Sequence, residues 1–366
     1  MSSLESKRQQ MQGLALKLGV WGGMLLFGAL VWLLCLGFGD SHRAWRAVLI
    51  NFIYFTPLAA GMVVWPAVIT ASRGDNWMND ALRRPALAAM SFAPVCFAAF
   101  LLLWAGRAYW AEWLHVEHLH NRAWLNSWFL FTRDLLALLI FWWVAARFAK
   151  TARTQPDKGR AGMLAFVYCV VFSLLGFDLV MSLDPHWFSS LFGGYFFITG
   201  MYLAVAGWTF AVLLQNPPMD AAHRKDLAKL IVAFSILSTY MMFCQLLPIW
   251  YENLPEEVRF VIPRLRTSPW KGLSLALLLS VYLGPLVLLL TNRSKGSITY
   301  LRVITGGLLV GMWFERWWLV TPTLGGRMIL GLEELSMTAV FASAFVLAWK
   351  RHLRQAPAAG EAFRHE

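Results

Sequence analysis

Five ionisable side chains interrupt stretches that are otherwise apolar: Arg133 and Asp134, Asp178, and Glu315 with Arg316. A charge in such a setting is costly, so it is either paired or used. Asp184, His186, Gln245, Tyr251 and Glu252 fall near the same ends of their apolar blocks. Carboxylates and imidazole take up protons, and amides and phenols hydrogen-bond a polar ring. Two readings of this set stay open. In one, Asp178 and Glu315 carry protons in a proton-conducting or quinol-facing cavity. In the other, Asp134, Asp178 and Glu315 pair with Arg133, Arg316 or loop arginines and tie helices together.

The elements that must position these residues are membrane helices. Of 366 residues, 58% are hydrophobic and 14% charged, against about a quarter charged in soluble domains. The apolar residues come in blocks of about 20, the length that crosses a hydrocarbon core of roughly 30 Å. The expected fold is an all-α membrane protein, one integral domain over 1–366 with ten transmembrane helices. The spans fall at 14–38, 45–70, 86–106, 126–149, 161–182, 191–214, 227–250, 270–291, 298–319 and 332–350. The first is read as a retained span and not a signal peptide. Gly19-x-x-x-Gly23 and Gly307-x-x-x-Gly311 are candidates for close helix approach. Lys and Arg concentrate in alternate loops, which places both termini in the cytoplasm. All five intramembrane charges then lie in the outer half. Asp178, for example, lies about 27 Å along its helix from Arg160 at the inner end. The net charge of +12 sits in short loops between spans and orients them, so nucleic acid is not an expected partner.

Other chemistry is missing from the sequence. All eight histidines, including the His115, His118 and His120 group with Glu112 and Glu117, lie in loops or tails. No span offers a haem ligand, and the loop group is read as a solvated surface, not a metal site. Cys35, Cys96, Cys169 and Cys244 stand alone in separate apolar blocks and are expected to be plain core thiols. No nucleotide-loop, zinc-protease or nucleophile-elbow motif occurs in a suitable context.

Two segments carry a resemblance. GFDLVMSLDPHWFSSLFGGYFFITGMYLA (Gly176–Ala204) and STYMMFCQLLPIWYENLPEEVRF (Ser238–Phe260) resemble the shorter NrfD-like (polysulfide-reductase-type) integral subunit, ActF, of bacterial alternative complex III. That complex is a quinol:electron acceptor oxidoreductase of the respiratory chain. The resemblance implies two four-helix bundles, from spans two to five and six to nine, flanked by spans one and ten. It implies a multi-pass subunit of the bacterial inner membrane that binds no cofactor itself, is not catalytic alone, anchors periplasmic redox subunits and moves protons. Its partners would be a paralogous NrfD-like membrane subunit, a periplasmic iron–sulfur protein, a multihaem cytochrome c and membrane lipids. The iron–sulfur clusters and c-type haem would belong to those partners, and quinol oxidation to the larger paralogue. Asp178, Asp184, His186, Gln245, Tyr251 and Glu252 fall within the matching motifs. Two rival readings remain: a quinone-binding anchor acting directly with an iron–sulfur partner, and a secondary transporter.

Overall fold

The computed structural model describes residues 2–117, 121–152, 157–215 and 219–355, with side chains from 19 to 353. Among the described residues there is no strand. Seven long helices come first: α1 (Ser2–Phe38), α2 (Ser41–Ala71), α3 (Asp80–Ala105), α4 (Ser127–Thr151), α5 (Lys158–Leu179), α6 (Phe192–Leu214) and α7 (Ala221–Glu252). The short α8 (Pro255–Leu265) precedes α9 (Trp270–Leu288), α10 (Ile298–Val320) and α11 (Leu332–Gln355). Nine helices among the described residues are long and apolar enough to cross a membrane. The protein is therefore an all-α, multi-pass membrane protein. In α10 the adjacent Glu315 and Arg316 interrupt the apolar run, and that helix is not one of the nine.

Successive helices reverse direction, so the molecule has two ends. At the distal end Arg43, in the first turn of α2, pairs with Glu334 (2.7 Å) and Glu333 (3.3 Å) of α11. At the basal end Arg302 of α10 donates to the Leu213 carbonyl closing α6 (2.5 Å). Polar caps set where helices begin: Asp40, Asn126, Asp157 and Asp220 each accept a backbone N–H of the first turn. Asp220 lies outside the spans, and the His223 N–H that it accepts is the main cause holding its carboxyl below the ordinary aspartate range.

Helices α2, α3, α4 and α5 are neighbours in one group, and α6, α7, α9 and α10 in another; α11 packs along both α1 and α2. The groups are packed together: the buried α2 lies against α5, α6 and α10, and α5 also lies along α6. The crossing of α2 with α6 demands glycine. A Cβ on Gly61 would stand 2.5 Å from Ala204 Cβ, and one on Gly200 3.2 Å from Pro57 Cβ of α2 and 2.6 Å from the Tyr168 hydroxyl of α5. The two GxxxG candidates fare worse. Among the described residues nothing lies within 4 Å of a Cβ on Gly19, Gly23 or Gly307, and of the four only Gly311 meets a close neighbour, Val281 of α9 at 2.5 Å. Glycine spacing alone does not reveal which face of a helix meets another helix.

Exposed Leu26, Phe27, Trp128, Phe166 and Val303 lie on outward helix faces, as expected where lipid, not a second protein layer, covers the surface.

Candidate functional site

The five intramembrane charges form two separate clusters, both near distal helix ends. The first joins α4 to α5. Asn126 caps α4, which places Arg133 and Asp134 in its second turn. Adjacent residues on a helix do not face each other, so Arg133 turns away from its neighbour and reaches Asp178, in the last turn of α5. Its Nη2 and Nε both donate to Asp178 Oδ2, at 2.7 and 3.0 Å. Trp124, from the loop before α4, donates its indole N–H to Asp178 Oδ1 (2.8 Å). The same ring lies under the Arg133 guanidinium, 3.8 Å from its centroid. Asp178 is fully buried and fully satisfied.

Asp134 is also fully buried, and neither carboxyl oxygen has a donor among the described residues. The Asp178 carboxyl is taken up by Arg133 and Trp124. The cluster therefore has one more acid than it has cations among the described residues.

The second cluster joins α6, α9 and α10. Glu315 Oε1 accepts hydrogen bonds from the Tyr195 and Tyr282 hydroxyls, which also bond each other at 2.8 Å. Glu315 Oε2 lies 3.3 Å from Arg316 Nη1 and has no hydrogen-bond donor among the described residues. Arg316 is fully buried, donates from Nη2 to Thr199 Oγ1 (2.9 Å) and lies over the Phe196 ring.

Local backbone chemistry aims Tyr282 at this acid. Pro285 has no N–H to offer the Val281 carbonyl four residues back, and the helix there widens into a π segment, Leu278–Leu283. The Tyr202 hydroxyl takes over the freed Val281 carbonyl (2.8 Å), and Ser235 bonds the Tyr282 carbonyl. Such π segments recur at functional sites.

Beside Tyr195 opens a cavity of about 550 Å³ between α7, α8, α9 and α10. A narrow extension of about 20 Å³ reaches Tyr282 and Glu315. Gln245 lines the cavity with a side chain only 8% exposed and no hydrogen bond of its own among the described residues. Arg264 of α8 lines it too, but its donors point away into the protein. They bond the carbonyls of Trp318, Phe260 and Leu319 and the Thr323 hydroxyl. Burial pushes the Arg264 guanidinium down to about 9, which leaves it charged at neutral pH.

The two motif segments meet over this cluster. Asn253, in the left-handed conformation, ends α7, and Pro255 opens α8. That stop and restart folds α8 back against the loop after α5. There Arg259 pairs with Asp184 (2.7 Å), and Phe260 stacks on Trp187 with centroids 4.0 Å apart. Asp184 thus acts as an anchor for α8. His186 is exposed, and so are Tyr251 (82%) and Glu252; none of these three joins either cluster. Of the remaining loop histidines in the group at 115–120, His118 and His120 lie outside the described residues. No three His, Cys, Asp or Glu residues among the described ones lie together as a metal site.

Reasoning from sequence missed Tyr195, Tyr282, Trp124 and Arg264. Tyr282 had one available signal, the proline three residues after it.

No protein-family model matches this chain, and no curated protein sequence matches it. The likeness to the alternative complex III subunit therefore rests on the two motif segments alone.

Proposed function

We propose that this chain is the shorter NrfD-like integral subunit of an alternative complex III-like assembly that oxidises quinol in a bacterial inner membrane. On this reading α10 is a tenth span, both termini are cytoplasmic and the distal end faces the periplasm. The helix neighbours support two four-helix bundles, α2–α5 and α6, α7, α9, α10, with α1 and α11 flanking them. The chain binds no haem or iron–sulfur cluster of its own. It anchors the periplasmic iron–sulfur protein and multihaem cytochrome c beside its larger paralogue.

One observation carries the reading. The two motif segments, far apart in sequence, are joined by the Asp184–Arg259 pair and the Trp187–Phe260 stack, just above buried acids in both helix groups. A subunit that only anchored partners would have no use for acids buried without full compensation. In the first group Asp134, buried without a donor, carries a proton while Arg133 fixes Asp178 in place. In the second, Glu315 takes or yields a proton through Tyr195. Thr199 and the unpartnered Tyr168 hydroxyl continue from Arg316 toward the basal end. Waters would have to complete any longer path.

The test is affinity purification of the tagged protein in mild detergent, reading the visible spectrum and the subunit masses. A c-type haem spectrum with a large iron–sulfur partner is expected. A colourless protein, alone or as a homo-oligomer, overturns the assignment.

A further inference from the structure

We infer that two apolar cavities on either side of α8 form a binding site for one anionic diacyl phospholipid, with its phosphate over the α8–α9 link and one acyl chain in each cavity. The inference draws on the membrane-spanning fold and not on the function proposed above. Either can fail while the other stands.

Charge selects the headgroup. The first cavity, already described, has Arg264 and Lys271 on its wall; the second, of about 520 Å³, has Arg266. No carboxylate lines either one, and Glu256 and Glu257, in the first turn of α8, belong to neither wall. Lys271 and Arg266 are exposed, and neither side chain has a hydrogen bond or ion pair among the described residues. They stand at the two ends of the short link between α8 and α9, so one stretch of chain brings a free cation to each cavity. Deeper in the first cavity the hydroxyls are engaged. Tyr195 bonds Glu315 and Tyr282, and Ser274 bonds the Arg264 carbonyl and accepts from Trp318. The Gln245 amide is not: it is more than nine-tenths buried, has no partner, and can donate to an ester carbonyl. A phosphate with ester carbonyls below it meets each of these groups.

Shape calls for two chains. Phe260 and Arg264 line only the first cavity, and Val258 and Ile262 only the second. Positions two apart on a helix are turned about 200° from each other, so α8 stands between the cavities. Leu246, Val261 and Leu265 belong to both walls and form the ridge that a glycerol backbone would straddle. From Lys271 to Leu278 the first cavity follows α9 inward for about 10 Å, and from Trp250 to Phe243 the second follows α7 inward by about as much. Both depths suit acyl chains lying in one leaflet, whose hydrocarbon is about 15 Å thick. Trp250 and Tyr251, 77% and 82% exposed, are residues of the kind that sit at headgroup level. They mark the end of α7 as the height of the phosphate.

The experiment is photolabelling of the intact chain in phosphatidylcholine nanodiscs doped with phosphatidylglycerol that carries a diazirine in one acyl chain, followed by mapping of the labelled peptides. The same diazirine on phosphatidylcholine is the reference. Label from phosphatidylglycerol is expected on peptides containing Phe243, Ile262 and Leu278. One exposed cation beside an anionic headgroup is worth about a fivefold preference. Lys271→Gln and Arg266→Gln should therefore each lower that yield about fivefold, and the double variant should bring it to the phosphatidylcholine level. Thermal unfolding should stay unchanged, since both side chains are exposed and unengaged. Lys158→Gln, at the basal end, should leave the labelling as it is. Leu246→Trp, which fills the shared ridge, should lower label from both lipids and so reports the cavities apart from the charge. Equal labelling by the two lipids in the unaltered chain overturns the site, as does label spread over outward faces such as that of α1. Label unmoved by the Lys271 and Arg266 variants overturns it too. Displacement of the label by inorganic phosphate would make this a site for a free anion and overturn the lipid.

Discussion

The α4–α5 cluster and the α6–α9–α10 cluster use the same residue types to opposite ends. In the first, two carboxyls share one guanidinium, and Trp124 closes the site from above. In the second, one carboxyl meets one guanidinium at 3.3 Å, two tyrosines supply the hydrogen bonds, and a cavity opens beside them. The first therefore has a spare acid, and the second has none. That difference sets how each tolerates loss of its carboxylate.

Breaking the second cluster should have the larger effect. Glu315→Gln leaves Arg316 fully buried without an anion, and the expected loss is about 3–5 kcal/mol in reversible unfolding from mixed micelles. A loss below about 1 kcal/mol would mean that water already solvates Arg316. Asp178→Asn should spare the fold better, because the amide oxygen can still accept from Arg133, which is itself 13% exposed, but it removes the carboxylate that Arg133 positions. On the function proposed above, quinol turnover of the assembled complex should fall about 100-fold, the usual weight of a proton-transferring group. Wild-type turnover and proton release, with normal assembly, would end the claim that Asp178 carries protons.

Smaller changes sharpen the contrast. Tyr195→Phe removes one of the two hydroxyls bonded to Glu315, at a cost of about 1–2 kcal/mol, measured by the same unfolding assay. Asp134→Asn should have the smallest effect, within about 1 kcal/mol of zero, since it exchanges a buried carboxyl without a donor for an amide of the same size. A large destabilisation by Asp134→Asn would show that the fold needs the acid itself at this position.

Much of this was legible in the sequence, and the limits have physical causes. Apolar blocks of span length, cut by charges at one end, located Asp134, Asp178 and Glu315 near the distal helix ends, because a lipid core penalises charge wherever the fold later places it. The same rule says nothing about partners. Arg133 is next to Asp134 in the chain, yet the 100° turn between helical neighbours sends it to Asp178 on another helix. Gln245 was visible as a polar residue in an apolar block. Tyr195 and Tyr282 were not, since an aromatic residue in a span reads equally well as core or lipid-facing surface.

The amino-acid sequence by itself determined the all-helical, membrane-embedded character, the approximate limits of the helices and the sparse inventory of charges, because these follow from local hydropathy and chain length. Only the tertiary structure decided which acid meets which base, that the two motif segments touch, and that a cavity lies between α7, α8, α9 and α10. Those outcomes depend on which helix faces meet, and that is settled by side-chain packing and close glycine contacts such as Gly61 against Ala204, which no single stretch of sequence encodes.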